Sequence, residues 1–206
     1  MLFRLAALAF ALLAVPANAA DIHRRSDGWI VVQGPFVQSD GPRFRALLST
    51  FEGSTTVVLE SDGGSAGAAI GIGEAIKQRG FATLVERGKT CVSACAFAWL
   101  AGKPRIMDPD ARLGFHGVYI MENGKPVTSG AANAVMGAYL GSLGLPASAI
   151  YFVTDAKPDG MAWLTQEKAS ALGFDVFVLD RPAPRIKSKK ALLEELFRRS
   201  EAESAD

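Results

Sequence analysis

Ser93 stands in the run T-C-V-S-A-C-A-F-A-W-L-A-G, between an expected strand and the start of an apolar helix. A serine at that junction is placed to attack a carbonyl, and a helix start favours a developing oxyanion. The same position also suits a serine that only caps the helix. His116, in L-G-F-H-G, follows another expected strand. The chain has 2 histidines, and His23 falls in an N-terminal stretch expected to fray. His116 is therefore the histidine available as a general base inside the fold. Gly63 and Gly64 follow a third expected strand. Backbone without side chains can approach there and present N–H groups to an oxyanion.

The glycines could also serve a phosphate. Gly63, Gly64, Gly67, Gly71 and Gly73 lie where a strand enters a helix, the usual place for a phosphate loop. No Gly-Lys-Ser/Thr follows, and a dinucleotide fingerprint begun at Gly71 and Gly73 would need a glycine where Ile76 stands. Nucleotide binding is therefore not expected, and no cofactor is implied. With 2 His and 2 Cys, a four-ligand zinc site would need all of them to converge, so no metal is expected.

The N-terminus reads as an address. Arg4 precedes the apolar run Leu5–Val15, Pro16 breaks it, and Ala17-Asn18-Ala19 supplies a small-x-small cleavage site. The run is shorter than the roughly 20 apolar residues that span a bilayer. Residues 1–19 are thus expected to be a signal peptide, the mature chain to be periplasmic or secreted, and no stable membrane anchor to remain after cleavage. Export changes how Cys91 and Cys95 are read. In an oxidising compartment a bridge across C-V-S-A-C is expected, stiffening the turn that carries Ser93. Two buried thiols packing as small hydrophobes is the competing reading. On one helical turn the spacing lies near the upper end of what a disulfide permits.

The 206 residues are 49% hydrophobic and 21% charged, enough for one domain with a real core. Lys+Arg of 22 against Asp+Glu of 21 gives a net charge of +1, so nothing favours a nucleic-acid partner. Strands are expected at Trp29–Val32, Thr56–Leu59, Ala82–Val85, Arg105–Met107, Arg112–Phe115 and Phe174–Leu179. Helices are expected at 42–51, Ala66–Gln78, Ala94–Ala101, Ala131–Leu143, Pro146–Thr154 and from Thr165 through Ala171. Such alternation indicates an α/β domain, here 20–180. Asn123-Gly124 predicts a short hairpin within 117–130. From Arg181 the composition shifts to a charged tail, 181–206, whose Ala191–Arg199 segment is a short amphipathic helix. The tail reads either as solvated or as a docking or oligomerisation segment.

Four motifs resemble one family. L-E-S-D-G-G-S-A-G-A-A-I at 59–70, C-V-S-A-C-A-F-A-W-L-A-G at 91–102, R-L-G-F-H at 112–116 and W-L-T-Q-E-K-A-S-A-L-G-F-D at 163–175 look like the Clp protease proteolytic subunit, and more closely its exported branch. The resemblance implies a single-domain α/β fold of the ClpP/crotonase-like ββα spiral type. It implies Ser93 as nucleophile and His116 as general base. Backbone N–H groups of Gly63 or Gly64 and of Ala94 would then form the oxyanion hole. The chain departs from the family at the third member. Met161 stands where the family has its aspartate, leaving Asp159, Asp155 or no acid to orient the histidine. A Ser-Lys variant would need Lys103 or Lys168 near Ser93. The curtailed 117–130 segment makes ring assembly of the cytoplasmic kind doubtful, although a homo-oligomer is compatible with the sequence. The expected function is an exported serine hydrolase, a peptidase taking a peptide or acyl substrate. A non-catalytic binding or scaffold protein of the same fold is the alternative, and a thioester hydrolase a third reading.

Overall fold

The computed structural model describes residues 19–179 together with Leu193, Glu194 and Phe197. The expected leader up to residue 18 and most of the charged tail lie outside the described residues.

A six-stranded sheet forms the centre. Its strands are β1 (Asp21–Arg24), β2 (Ile30–Gln33), β3 (Thr56–Glu60), β4 (Ala82–Val85), β6 (Arg105–Met107) and β11 (Phe177–Val178), in the order β1-β2-β3-β4-β6-β11. β2 through β11 run parallel, and β1 closes one edge antiparallel. A parallel strand covered on both faces should be apolar throughout, and T-V-V-L is buried along its length. The expected fraying of the N-terminus is not seen. His23 is a paired residue of the edge strand, its exposed ring 3.1 Å from the Asp21 carboxylate.

The register sorts side chains to two faces. Val31, Val58, Leu84, Ile106 and Phe177 lie in one row across the sheet. That row packs with Trp29 and with Leu193, which is itself buried, while Phe197 packs at its margin. The alternate residues Ile30, Val57, Val32 and Leu59 point into the larger core. There they meet α1 (Asp40–Leu48), α2 (Ala66–Arg79), α3 (Ala94–Trp99), α4 (Gly130–Ser142) and α5 (Ala147–Asp155).

Local chemistry explains how these helices sit. Ser65 caps α2, its Oγ accepting from Ala68 N–H at 3.2 Å, and Gly80 ends it in the left-handed region at φ 61°. Arg79, in the last turn of α2, donates to the carbonyls of Leu48 and Phe51 and so finishes the end of α1. Gly41 and Gly71 let α1 and α2 touch backbone to backbone: a Cβ on Gly41 would stand 3.4 Å from Gly71 Cα. Gly73 of α2 leaves room for the Tyr139 hydroxyl of α4, which donates to Phe97 O at 3.1 Å. Burial pushes that hydroxyl well above the ordinary phenol range, so it stays a donor and ties α4 to α3.

A second sheet of three strands, β10 (Ala162–Leu164), β7 (Arg112–Phe115) and β5 (Thr90–Val92), stands beside the first. β5 and β7 are parallel, with Val92 opposite Gly114, so both run out at the same end. The segment after β7 forms the hairpin β8 (Tyr119–Glu122) and β9 (Lys125–Thr128). Asn123 and Gly124 turn it with φ of 51° and 76°, the pair of positive values that a tight hairpin requires. α6 (Gln166–Leu172) completes the fold. No helix among the described residues is long and apolar enough to cross a membrane.

Candidate active site

Parallel pairing of β5 with β7 delivers Ser93 and His116 to one place. Ser93 is the first residue beyond β5, and its N–H donates to Gly114 O at 2.9 Å. His116 is the first residue beyond β7. Both line a cavity of about 410 Å³, together with Asp62, Gly64, Ala94 and Tyr119.

Ser93 adopts φ 55° and ψ −127°, a conformation that L-residues rarely take. It sits on a sharp turn between strand and helix, which pushes the side chain outward. Backbone in such a state persists only where its surroundings over-determine it. Here they do. Val92 N–H donates to Ser61 O at 3.0 Å, and Phe97 N–H donates back to Ser93 O. Cys91 and Cys95, both fully buried, are joined in a disulfide that spans the turn with a Cα separation of 5.2 Å. The bridge expected from the sequence is therefore present, and the reading as two thiols is set aside.

The glycine turn approaches from the other side. A Cβ on Gly63 would stand 2.7 Å from Ser93 Cβ and 3.0 Å from its Oγ, so only glycine fits. Gly63 and Gly64 both have positive φ, 101° and 134°. The two N–H groups are not equivalent. Gly63 N–H donates to Ser61 Oγ at 3.0 Å and is already used. Among the described residues, neither Gly64 N–H nor Ala94 N–H, the first of α3, has a backbone or side-chain acceptor. Both residues line the cavity.

His116 is 8% exposed. Its Nδ1 lies 2.9 Å from Gly117 O. A carbonyl oxygen only accepts, so Nδ1 is the donor, and in the neutral ring Nε2 keeps its lone pair. Among the described residues, neither Nε2 nor Ser93 Oγ has a hydrogen-bond partner, and neither is sealed from solvent. The two are thus open to the cavity without being bonded to each other. The ring of Tyr119, at the start of β8, lies beside His116 with centroids 5.5 Å apart.

The carboxylates expected from the sequence are elsewhere. Asp159 is exposed on the turn between α5 and β10, and Asp155 is exposed at the end of α5, where it hydrogen-bonds Tyr151. Neither lines the Ser93 cavity. The place of an orienting acid at Nδ1 is filled by Gly117 O. Gly117 is itself fixed, because its N–H donates to Ala156 O at 2.8 Å. No lysine lines the cavity among the described residues: Lys103 follows α3 on an exposed loop, and Lys168 lies over the Phe152 ring. Sequence reasoning missed Gly117 O and Tyr119. A carbonyl is common to every residue and leaves no signal, while Tyr119 could have been found as the aromatic residue three places beyond the histidine.

No family model matches the chain, and no curated protein matches it. Solved structures do. A Ser-to-Ala mutant of the 1510-N membrane-bound stomatin-specific protease matches with a TM-score of 0.58 at 19% identity, covering 80% of this chain and 81% of that one. A Lys-to-Ala mutant of the same protease, in complex with a substrate peptide, matches with a TM-score of 0.56 at 20% identity, covering 80% and 76%. These likenesses correct the expected fold and family. The chain has the fold of the stomatin-specific protease structures, in place of the ClpP/crotonase-like ββα spiral and the exported Clp-like branch. The physical reason lies in what the motifs encode. A Gly-Gly turn, a serine before an apolar helix and a histidine after a strand specify local geometry. They carry no information on strand order, so more than one architecture can hold them.

Proposed function

We propose that the chain is an exported serine hydrolase that cuts peptides by acyl transfer, with Ser93 and His116 as its working pair. One observation carries this reading: a serine held in a rare backbone conformation opens into the same cavity as a histidine whose tautomer leaves Nε2 free. Ser93 Oγ attacks the carbonyl carbon while His116 Nε2 takes its proton. The oxyanion accepts from Gly64 N–H and Ala94 N–H, which have no other acceptor among the described residues. His116 then gives the proton to the leaving amine, and water enters by the same route to release the acyl group. Gly63 serves by close approach, and Gly117 O takes the positioning role that an aspartate has in a triad. Asp159 has no part. Ser93 and His116 come into hydrogen-bond contact when substrate excludes water, as apo sites commonly do. A peptide substrate is favoured by the peptide-bound state of one matching structure. The leader pattern in the sequence supports a reaction in the periplasm or outside the cell.

The binding-protein reading is favoured by one fact, the missing hydrogen bond between Ser93 and His116. Kinetics separate the two. Ser93→Ala and His116→Ala should each remove most turnover of a peptide ester. The double mutant should be little worse than either, because groups acting as a unit are not additive. A wild-type protein that turns over neither peptides nor esters would leave the binding reading in place, and turnover that survives in both single mutants would remove Ser93 and His116 from the mechanism.

A further inference from the structure

Ala20 would be the first residue of the mature chain if the leader is cut after Ala19, and its surroundings are unusual for a terminus. Chain ends are ordinarily exposed and poorly ordered. Ala20 is fully buried, although Ala19 beside it is exposed. Its backbone N stands 3.3 Å from Oδ2 of Asp40, a carboxylate that is also fully buried. Arg43 holds the other oxygen, Oδ1, at 2.6 Å, and also donates to Ala20 O at 2.9 Å. Among the described residues, no side chain is hydrogen-bonded to Oδ2. It receives only backbone donors, Ala20 N–H and, at 2.8 Å, Val37 N–H.

We propose that processing after Ala19 creates an α-ammonium group that is seated on Asp40 as a buried ion pair, and that this pair braces the strap leading to the Gly63–Gly64 turn. Hydrolysis of the Ala19–Ala20 bond adds water, leaving a carboxylate on Ala19 and an amine on Ala20 that takes up a proton. One ammonium proton keeps the bond to Oδ2. The others face the surface that Ala19 vacates. A buried carboxylate is stabilised by a full positive charge in place of a neutral amide. The strap is Phe36 and Val37, just before α1 in the chain. Val37 is bonded to Asp40, and its neighbour Phe36 donates to Gly63 O and accepts from Ser65 N–H, each at 2.8 Å. Phe36 backbone also packs where a Cβ on Gly64 would collide. The new terminus thus reaches the turn beside Ser93 through three hydrogen bonds, two on Asp40 Oδ2 and one from Phe36 N–H to Gly63 O.

The protein is expressed with its own leader and purified after export, and its N-terminus is read by mass spectrometry. Amine acylation at neutral pH is then followed in native and denatured samples. The proposal expects Ala20 as first residue and an α-amine that acylates at least about tenfold more slowly when native, since burial and pairing both withhold the free amine. A second protein carries Gly-Ser before Ala20. Its Tm should fall by about 5 °C relative to the mature chain, and this difference should vanish in the Asp40→Asn background. If Asp40→Asn does not fold, the acylation ratio and the Gly-Ser protein decide the matter. A different N-terminus, equal acylation rates in the two states, or an unchanged Tm with Gly-Ser in front would overturn it.

Discussion

The turn around Ser93 and the hairpin from Tyr119 to Thr128 border the same cavity but are built in opposite ways. At the turn, Cys91, Ala94 and Cys95 are buried, a disulfide spans the nucleophile, and Gly63 leaves no spare volume. Along the hairpin every residue of β8 and β9 is exposed, and Ile120, Met121 and Val127 present apolar side chains to solvent. A two-stranded ribbon with no partner sheet is only marginally stable by itself. The difference separates two tasks. Geometry that must hold a rare backbone state is fixed from several sides, whereas a wall that meets substrate can adapt its shape.

The comparison can be broken from its rigid side. Gly63→Ala puts a Cβ against Ser93 at a φ of 101°, so the turn must move. Stability should fall by about 2–4 kcal/mol, with activity lost even where the protein still folds. Thermal unfolding and turnover of the same sample check this. Replacing Cys91 and Cys95 together by alanine should have the next largest effect, about 2 kcal/mol for so short a loop. A Tm that is unmoved by the replacement would mean the bridge is incidental to the turn.

From the adaptable side the effects are smaller. Tyr119→Ala removes the ring beside His116 and should lower kcat/KM by about tenfold, or roughly 1.4 kcal/mol of transition-state stabilisation, with little change in Tm. Ile120→Ser with Met121→Ser should leave stability within about 0.5 kcal/mol and act on KM for longer peptides. If these hairpin changes unfold the protein, the two walls are not distinct in the sense argued. Asp159→Asn should do least of all. A tenfold loss of kcat there would return a carboxylate to the mechanism.

What the sequence revealed follows the same division. Ser93, His116 and the Gly-Gly pair could be located because residue type and flanking pattern both mark them. The Asn-Gly hairpin could be located because its turn demands positive φ at two adjacent residues. Strand order could not, since motifs fix only their own neighbourhood, and the expected spiral gave way to the fold seen here. The histidine's orienting group was sought among aspartates, because acids are visible in a sequence and carbonyls are not. The edge strand at His23 was missed because D-I-H-R has no apolar alternation; it is held by pairing with β2. Leu193 stood out as apolar in a charged tail, but its seat against Val58, Leu84 and Ile106 depends on an uncovered sheet face, which only the assembled register reveals.

The claim that Ser93 is a nucleophile, activated by His116, is tested most directly by a fluorophosphonate. The mature protein is incubated with the probe and digested, and the modified residue is mapped by mass spectrometry. The account predicts a single adduct on Ser93, absent from Ser93→Ala and formed far more slowly in His116→Ala. An unmodified Ser93 in folded wild-type protein, or labelling that proceeds equally fast without His116, would contradict it.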